Sequence, residues 1–218
     1  MSDRDEAEEV WNPKTKLGKK VANGQISNIK DAMNADQPIM EPEIVDQLIN
    51  LNEEVILIGG TPGKGGGKRR TVSKRTARMH KSGARYNTKA MVVVGDKNNV
   101  VGLGYGEAND TRAAIESATR EAKLNLIEVQ HGSGSWEDQT EHTSSIPIES
   151  SAKVGSVQVS LKPAPKGTGL AASDDVKKLL ELGGISDVWV QTQGKTQTRE
   201  NLLKASFEAL ENINEVVK

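Results

Sequence analysis

Apolar and polar positions change period several times along the chain, and each change marks an element. From Thr88 to Ala108 the sequence T-K-A-M-V-V-V-G-D-K-N-N-V-V-G-L-G-Y-G-E-A holds two apolar runs joined by turn-forming residues. Met91 to Val94 is β-branched enough for a buried strand, and Gly95 to Asn99 tolerates positive φ, so the stretch predicts a β-hairpin with its turn at the surface. The returning run, Val100 to Tyr105, alternates with Gly102, Gly104 and Gly106, which weakens a strand unless another backbone must come close. Ala114, Ala118, Ala122 and Leu126 then recur every fourth residue, with Ile115 widening the face and Asp110 or Thr111 as cap. This predicts a helix whose small residues let it lie close on the hairpin.

Before the hairpin the pattern is helical and broken. Residues 1–9 read as an acidic, frayed tail, and a short helix is expected after Pro13, ending near Gly24. Ser27 caps a further turn through Met33, and Glu41-Pro42-Glu43 begins a helix with Ile44, Val45, Leu48 and Ile49 on one face. These fifty residues are expected to lack a core of their own. Glu54 to Ile58 reads as a strand, and six glycines and a proline within 59–67 predict a mobile loop.

After the hairpin and its helix, Gln130 to His142 turns to Gly, Ser, Thr and acids, and the domain boundary is placed there. Val154 to Lys162 then alternates Val157, Val159 and Leu161 with Ser156, Gln158 and Ser160, the pattern of one strand with a solvated side. Asp174 is read as the cap of a helix with Val176, Leu179, Leu180 and Leu182 inward, Asp187 to Val190 as a strand, and Arg199 to Ile213 as a final helix. Strand, helix, strand, helix makes a small open α/β sandwich in which Trp189 and Phe207 are expected in the core.

Composition narrows the function. At 218 residues, 27% charged and 35% hydrophobic, the sequence is that of a soluble globular protein, and without Cys it has no thiolate nucleophile, disulfide or Cys-based zinc site. No apolar run approaches the ~20 residues of a membrane span, and no secretory signal is visible, so the cytoplasm is expected.

The net charge of −1 hides a division. Residues 1–58 carry 6 basic and 12 acidic side chains, whereas residues 59–89 carry 10 basic and none acidic. Ten cations without an acid repel one another unless neutralised, which points to a phosphate-rich partner over a solvated loop.

Other candidate chemistry is thinner. The Gly-Lys content of residues 60–68 misses the register of a phosphate-binding loop, since Pro62 stands where its first glycine belongs and Arg69 follows Lys68. Gly102-Leu103-Gly104-Tyr105-Gly106 fails the dinucleotide pattern at Glu107. His131, Glu137, Asp138, Glu141 and His142 lack metal-ligand spacing and read as solvated loop residues. The loop Pro163 to Gly169, with Lys166, Gly167 and Gly169 ahead of a helix, forms a candidate anion site. No nucleophile, base and orienting group come together, so an enzyme is not expected, and no cofactor is implied.

Taken in order, W-N-P-K-T-K-L-G (Trp11 to Gly18), V-V-V-G-D-K-N-N-V-V-G-L-G-Y-G-E-A (Val92 to Ala108), P-A-P-K-G-T-G-L (Pro163 to Leu170) and L-E-L-G-G-I-S-D-V-W (Leu180 to Trp189) resemble the universal small-subunit ribosomal protein five family. The first of these, with M-E-P-E-I-V-D at Met40 to Asp46 and G-S-G-S-W at Gly132 to Trp136, resembles its archaeal and eukaryotic branch. The match is collinear over nearly the whole chain.

The resemblance implies an α+β protein: an N-terminal helical extension (1–49), a double-stranded-RNA-binding-like α/β domain (50–130), a linker loop (131–143) and a C-terminal βαβ-type two-layer sandwich (144–218). It further implies a structural constituent of the small ribosomal subunit that binds rRNA, aids assembly and translational accuracy, and lines the side where mRNA enters. The implied neighbours are the fourth and eighth proteins of the universal set, with the third as a further candidate. R-M-H-K-S-G-A-R (Arg78 to Arg85) matches the family's basic hairpin loop, which makes Arg78, Lys81 and Arg85 the leading RNA contacts. Gly102, Gly104 and Gly106 match its glycine-rich strand, and Lys166 with Gly167 its second-domain loop. Lys68, Arg69, Arg70, Lys74, Arg75 and Lys89 complete the expected RNA-binding set on charge. Gly59 to Thr76 resembles an insertion relative to the family pattern, and Ser133 stands where many archaeal relatives carry cysteine, so no metal site is expected. A free RNA chaperone and a nucleotide-using enzyme are the rival readings.

Overall fold

The computed structural model of the chain describes residues 11–33, 35, 37–62, 68–133 and 143–217. These fall into two compact units, one ending at Asn50 and the other beginning at Leu51.

The first unit holds α1 (Lys16–Ala22), α2 (Ile29–Met33) and α3 (Pro42–Leu48). Contrary to expectation it has a small core, in which Leu17, Val21 and Ile44 are buried and Trp11, Ile26, Ile39 and Leu48 pack around them. One carboxylate organises it. Glu41, at the N-cap position of α3, accepts hydrogen bonds from the Trp11 indole Nε1–H (3.0 Å) and the backbone N–H groups of Lys14 (3.0 Å) and Thr15 (2.6 Å). Thr15 in turn caps α1 by accepting from the Gly18 N–H at 2.9 Å. α2 starts one residue later than a Ser27 cap requires, so Asn28 takes that position, its C=O accepting from the Ala32 N–H.

The second unit begins with β1 (Asn52–Val55), β2 (Gly59–Pro62), β3 (Lys68–Thr71) and β4 (Lys74–His80). They lead into β5 (Gly83–Gly95), β6 (Val100–Ala108), α4 (Thr111–Leu124) and β7 (Leu126–Glu128). The first sheet runs β1-β5-β6-β7, antiparallel throughout, and β4 adds to the early half of β5. The expected strand at 54–58 is thus shifted to 52–55, paired with Val92–Gly95. Part of the expected glycine-rich loop is ordered as well, since β2 and β3 pair as a two-stranded ribbon; its tip, 63–67, lies outside the described residues.

The glycine strand explains itself once α4 is in place. A Cβ at Gly104 would lie 2.0 Å from the Ala118 carbonyl oxygen and 2.3 Å from the Ala122 nitrogen, and one at Gly106 would lie 2.1 Å from the Ala114 carbonyl oxygen. Ala114, Ala118 and Ala122 are fully buried against this surface. Strand and helix meet backbone to backbone, which alternate glycines on one side and every-fourth alanines on the other allow. Val92 and Val94 finish this layer, while Met91, Val93, Val101 and Leu103 point to the opposite face and enter the main core.

That core is shared with β8 (Ser150–Val154), β9 (Val157–Pro163), β10 (Leu170–Ala171), α5 (Asp174–Leu182), β11 (Val188–Gly194) and α6 (Arg199–Val217). The second sheet runs β10-β11-β9-β8, with α6 packed on β8 and β9. Val157, Val159 and Leu161 point inward as the alternation requires. The segment read as one strand is a hairpin instead, turning at Gly155 (φ +60°). Ser173, not Asp174, stands at the cap of α5. Trp189 also departs from expectation: it is 45% exposed on the outer face of the sheet, opposite Lys162, while Phe207 is buried.

The β5–β6 turn is not simply at the surface. The Asp96 carboxylate accepts from the N–H groups of Asn98, Asn99 and Val100, each at 2.9 Å, and the Lys97 N–H donates to the Leu182 carbonyl at the end of α5. A Cβ at Gly95 would lie 2.4 Å from that same carbonyl oxygen, and one at Gly184 (φ +81°) would lie 2.3 Å from the Asn98 carbonyl oxygen. The G-D-K-N-N and L-G-G-I motifs are therefore two halves of one joint.

Gly104→Ala is expected to cost about 3 kcal/mol, whereas Ala118→Gly costs about 1 kcal/mol of helix propensity. Because the added Cβ meets the Ala118 carbonyl and not its side chain, the double variant shows no rescue; urea unfolding measures all three. In the first unit, burial raises the Glu41 carboxyl, but the hydrogen bonds from Thr15, Lys14 and Trp11 outweigh it and leave the pKa below the ordinary value. A folded-state pKa below the unfolded one stabilises at neutral pH, and that stabilisation is lost as pH falls through it. Exchange protection of the Trp11 indole N–H, read by NMR, is expected to fall on acidification and to fall about fivefold in Glu41→Ala, the equivalent of about 1 kcal/mol for loss of hydrogen bonds to a carboxylate.

Candidate nucleic-acid interface

The charged segment forms a β-ribbon whose tip is the basic hairpin of Arg78 to Arg85. β4 pairs with β5 from Lys74↔Lys89 to His80↔Gly83, while β6 pairs with β5 only from Thr88 onward. Residues 76–87 therefore extend beyond the sheet as two strands, about 15 Å long at the usual strand rise. Alternation of apolar residues could not reveal β4, because both of its faces are solvated; the signal that could have is Lys81-Ser82-Gly83, a turn in which Gly83 takes φ +115°.

Arg75, Arg78, Lys81 and Arg85 are all exposed on this ribbon. Arg78 and Arg85 stand directly opposite each other, so two like charges share one register position with no carboxylate paired to either among the described residues. Directly opposed like charges destabilise a sheet. The ribbon tolerates them because it is solvated, and an external anion would relieve them. Arg75 lies over the Tyr86 ring, 3.9 Å from the centroid, and Tyr86 is 48% exposed. This stacked pair, missed in the sequence, offers a guanidinium and a ring face together. Exposed Met79 lies near the tip.

The base of the ribbon is fastened by its other cations. Lys74 pairs with Glu200 at 3.0 Å and Lys89 with Glu107 at 3.6 Å. Tyr105 is the largest influence holding the Lys89 ammonium above its ordinary pKa, with Glu107 adding to it. Lys74 and Lys89 thus anchor the ribbon more than they present charge.

Arg70 lies apart from the ribbon, in β3, at a cleft of about 730 Å³ that also includes Gly60, Ser173, Asp175 and Arg199. Asp175 and Arg199 form a partly buried ion pair there at 2.8 Å, and Arg199 also donates to the Leu57 carbonyl. Burial is the largest influence on the Asp175 carboxyl and raises it, with Arg70 acting in the opposite sense. The backbone of Lys68 and Arg69 is paired in β3.

Three expected contacts are not at the interface. Gly102, Gly104 and Gly106 are buried beneath α4, where no polyanion reaches them, and their role is close packing. Lys166 and Gly167 are exposed in the loop between β9 and β10, with Gly167 at φ +86°. The anion site expected in that loop is partly filled by the chain itself, since the Gly169 N–H donates to the Asp187 carboxylate at 2.7 Å. Of the histidines and acids read as solvated loop residues, His131 is hydrogen-bonded to the Asn98 carbonyl, while Glu137, Asp138, Glu141 and His142 lie outside the described residues. Among the described residues no group of three or more His, Asp or Glu could hold a metal, and no helix is long and apolar enough to cross a membrane.

Comparison with known proteins gives this geometry a family. Residues 68–130 match "Ribosomal protein S5, N-terminal domain" and residues 152–218 match "Ribosomal protein S5, C-terminal domain". The small ribosomal subunit protein uS5 of Methanococcus maripaludis is 43% identical over 207 residues, covering 94% of this chain and 84% of the relative. That of Nanoarchaeum equitans is 44% identical over 211 residues (95% and 90%), and that of Haloquadratum walsbyi 38% over 216 (99% and 92%). These relatives are ribosomal components and not enzymes, and their place is the cytoplasmic ribosome. With both halves matched and the identity spread over nearly its full length, the chain belongs to the ribosomal protein S5 family, in its archaeal form.

Proposed function

We propose that this chain is a structural component of the small ribosomal subunit that grips rRNA with the β4–β5 ribbon, its contacts being Arg75, Arg78, Lys81 and Arg85. The observation that carries this reading is the opposed Arg78–Arg85 pair on a solvated ribbon with no acid in residues 59–89. Guanidinium groups match phosphate geometry bidentately, and the Arg75–Tyr86 stack suits an unpaired base. Lys68, Arg69, Arg70 and Lys166 are read as secondary contacts on charge. The Lys74–Glu200 anchor ties the ribbon to α6, so RNA held at its tip is held by the whole unit.

In this reading the ribbon also borders the path by which mRNA enters, and holding rRNA there supports subunit assembly and decoding accuracy. The neighbouring proteins would be the fourth, the eighth and the third of the universal set. The acidic balance of residues 1–58 keeps the polyanion contact on the ribbon.

The test is the salt dependence of binding to small-subunit rRNA. Changing Arg78, Lys81 and Arg85 together to Ala is expected to flatten the slope of log K against log salt by about 0.7–0.9 for each phosphate that is no longer neutralised. Lys74→Ala is expected to act mainly on stability. An unchanged slope in the triple variant would remove the ribbon from the interface.

A further inference from the structure

We infer that the cleft between β6, the end of α4 and α6 is a docking site for a basic segment of a neighbouring protein. β7 pairs with β6 only at Val100–Gly102. Beyond that point β6, α4 and α6 leave a cleft of about 390 Å³, within the size range of small-ligand sites. Leu103, Tyr105 and Phe207 give it an apolar lining, and Glu121 from α4 with Glu208 and Glu211 from α6 stand among its lining residues as exposed acids. None of the three carboxylates has an ion-pair partner among the described residues.

Charge and polarity together select the occupant. The three carboxylates outnumber Lys204, the one cation lining the cleft among the described residues, and repel phosphate, so this site does not serve RNA. An apolar lining beneath acids suits Lys and Arg side chains, whose methylene stems cover apolar surface while their charged ends stay at the mouth. The chain already shows that chemistry: the Lys204 ammonium, from α6, lies 5.0 Å from the Tyr105 ring centroid, and Lys89 lies 5.4 Å from the same ring. Lys204 and Lys89 already hold that ring, so the charged end of an incoming Lys or Arg is drawn to the three carboxylates and its stem to the apolar lining. The molecule thus carries a basic ribbon for RNA and an acidic cleft for the basic chains that accompany RNA.

The test is an NMR titration of the full chain, at about 0.15 M ionic strength, with a capped hexapeptide alternating Arg and Leu. Shifts are expected at Leu103, Tyr105, Lys204 and Phe207. Replacing the three acids together, Glu121→Gln, Glu208→Gln and Glu211→Gln, is expected to weaken binding about tenfold, near 0.5 kcal/mol for each exposed pair. The substitutions are isosteric and at exposed positions, so the fold is retained, and unchanged amide shifts away from the cleft check this. Equal peptide affinity in the triple variant, shifts located elsewhere, or an oligouridine RNA shifting the same residues would each overturn the assignment. A ribbon variant that no longer binds RNA should keep the peptide affinity, which separates this site from the RNA interface.

Discussion

Backbone-to-backbone contact between β6 and α4 is the constraint on which the second unit rests. A methyl group at Gly104 would fall 2.0 Å from the Ala118 carbonyl oxygen, a distance no real contact reaches, so only glycine lets the helix settle. Once α4 lies this close, Val92 and Val94 are sealed on its side of the sheet, and Met91, Val93, Val101 and Leu103 are committed to the other. That second face is then completed by α5, α6 and β9. The fold is therefore layered, with the first sheet covered on both faces and buried along its centre.

The same principle of close approach joins the two halves matched by the family. Gly95 and Gly184 let the β5–β6 turn lie against the end of α5, where the Leu182 carbonyl receives the Lys97 N–H. The Asp96 carboxylate fixes the turn from within by accepting three backbone N–H groups. Two stretches that are far apart in sequence and individually bland become a single joint. The ribbon projects from a rigid base, with Lys74 and Lys89 fastened to Glu200 and Glu107.

Much of this is legible in the sequence where a residue type has one dominant physical use. Alternating glycines followed by every-fourth alanines announce the packed strand and helix, and the inward alternation of Val157, Val159 and Leu161 announces the second sheet. Where the reading fails, it does so for identifiable reasons. β4 has no apolar face, so pattern reading cannot find it, and the basic hairpin extends further down as a paired ribbon than the sequence suggests. Gly155 reads as a strand interior because Val154 and the alternating run from Val157 flank it, yet it turns the chain, and the three-residue step from Val154 to Val157 is the mark of that turn. Residue type assigns Trp189 to the core, but the pleat directs it outward beside Lys162. At the candidate site, charge alone locates the ribbon; the Arg75–Tyr86 stack and the anchoring roles of Lys74 and Lys89 depend on cross-strand register and long-range pairing that composition does not contain.

A chain held in the small ribosomal subunit by an electrostatic ribbon on a rigid base should stay there when the subunits part. Sedimentation of a cell lysate through sucrose, at low magnesium to separate the subunits and again after a moderate salt wash, tests that most directly. The chain should travel with the small subunit in both gradients. If it stays with free protein at the top of both, it works away from the ribosome, and the ribbon serves some other RNA.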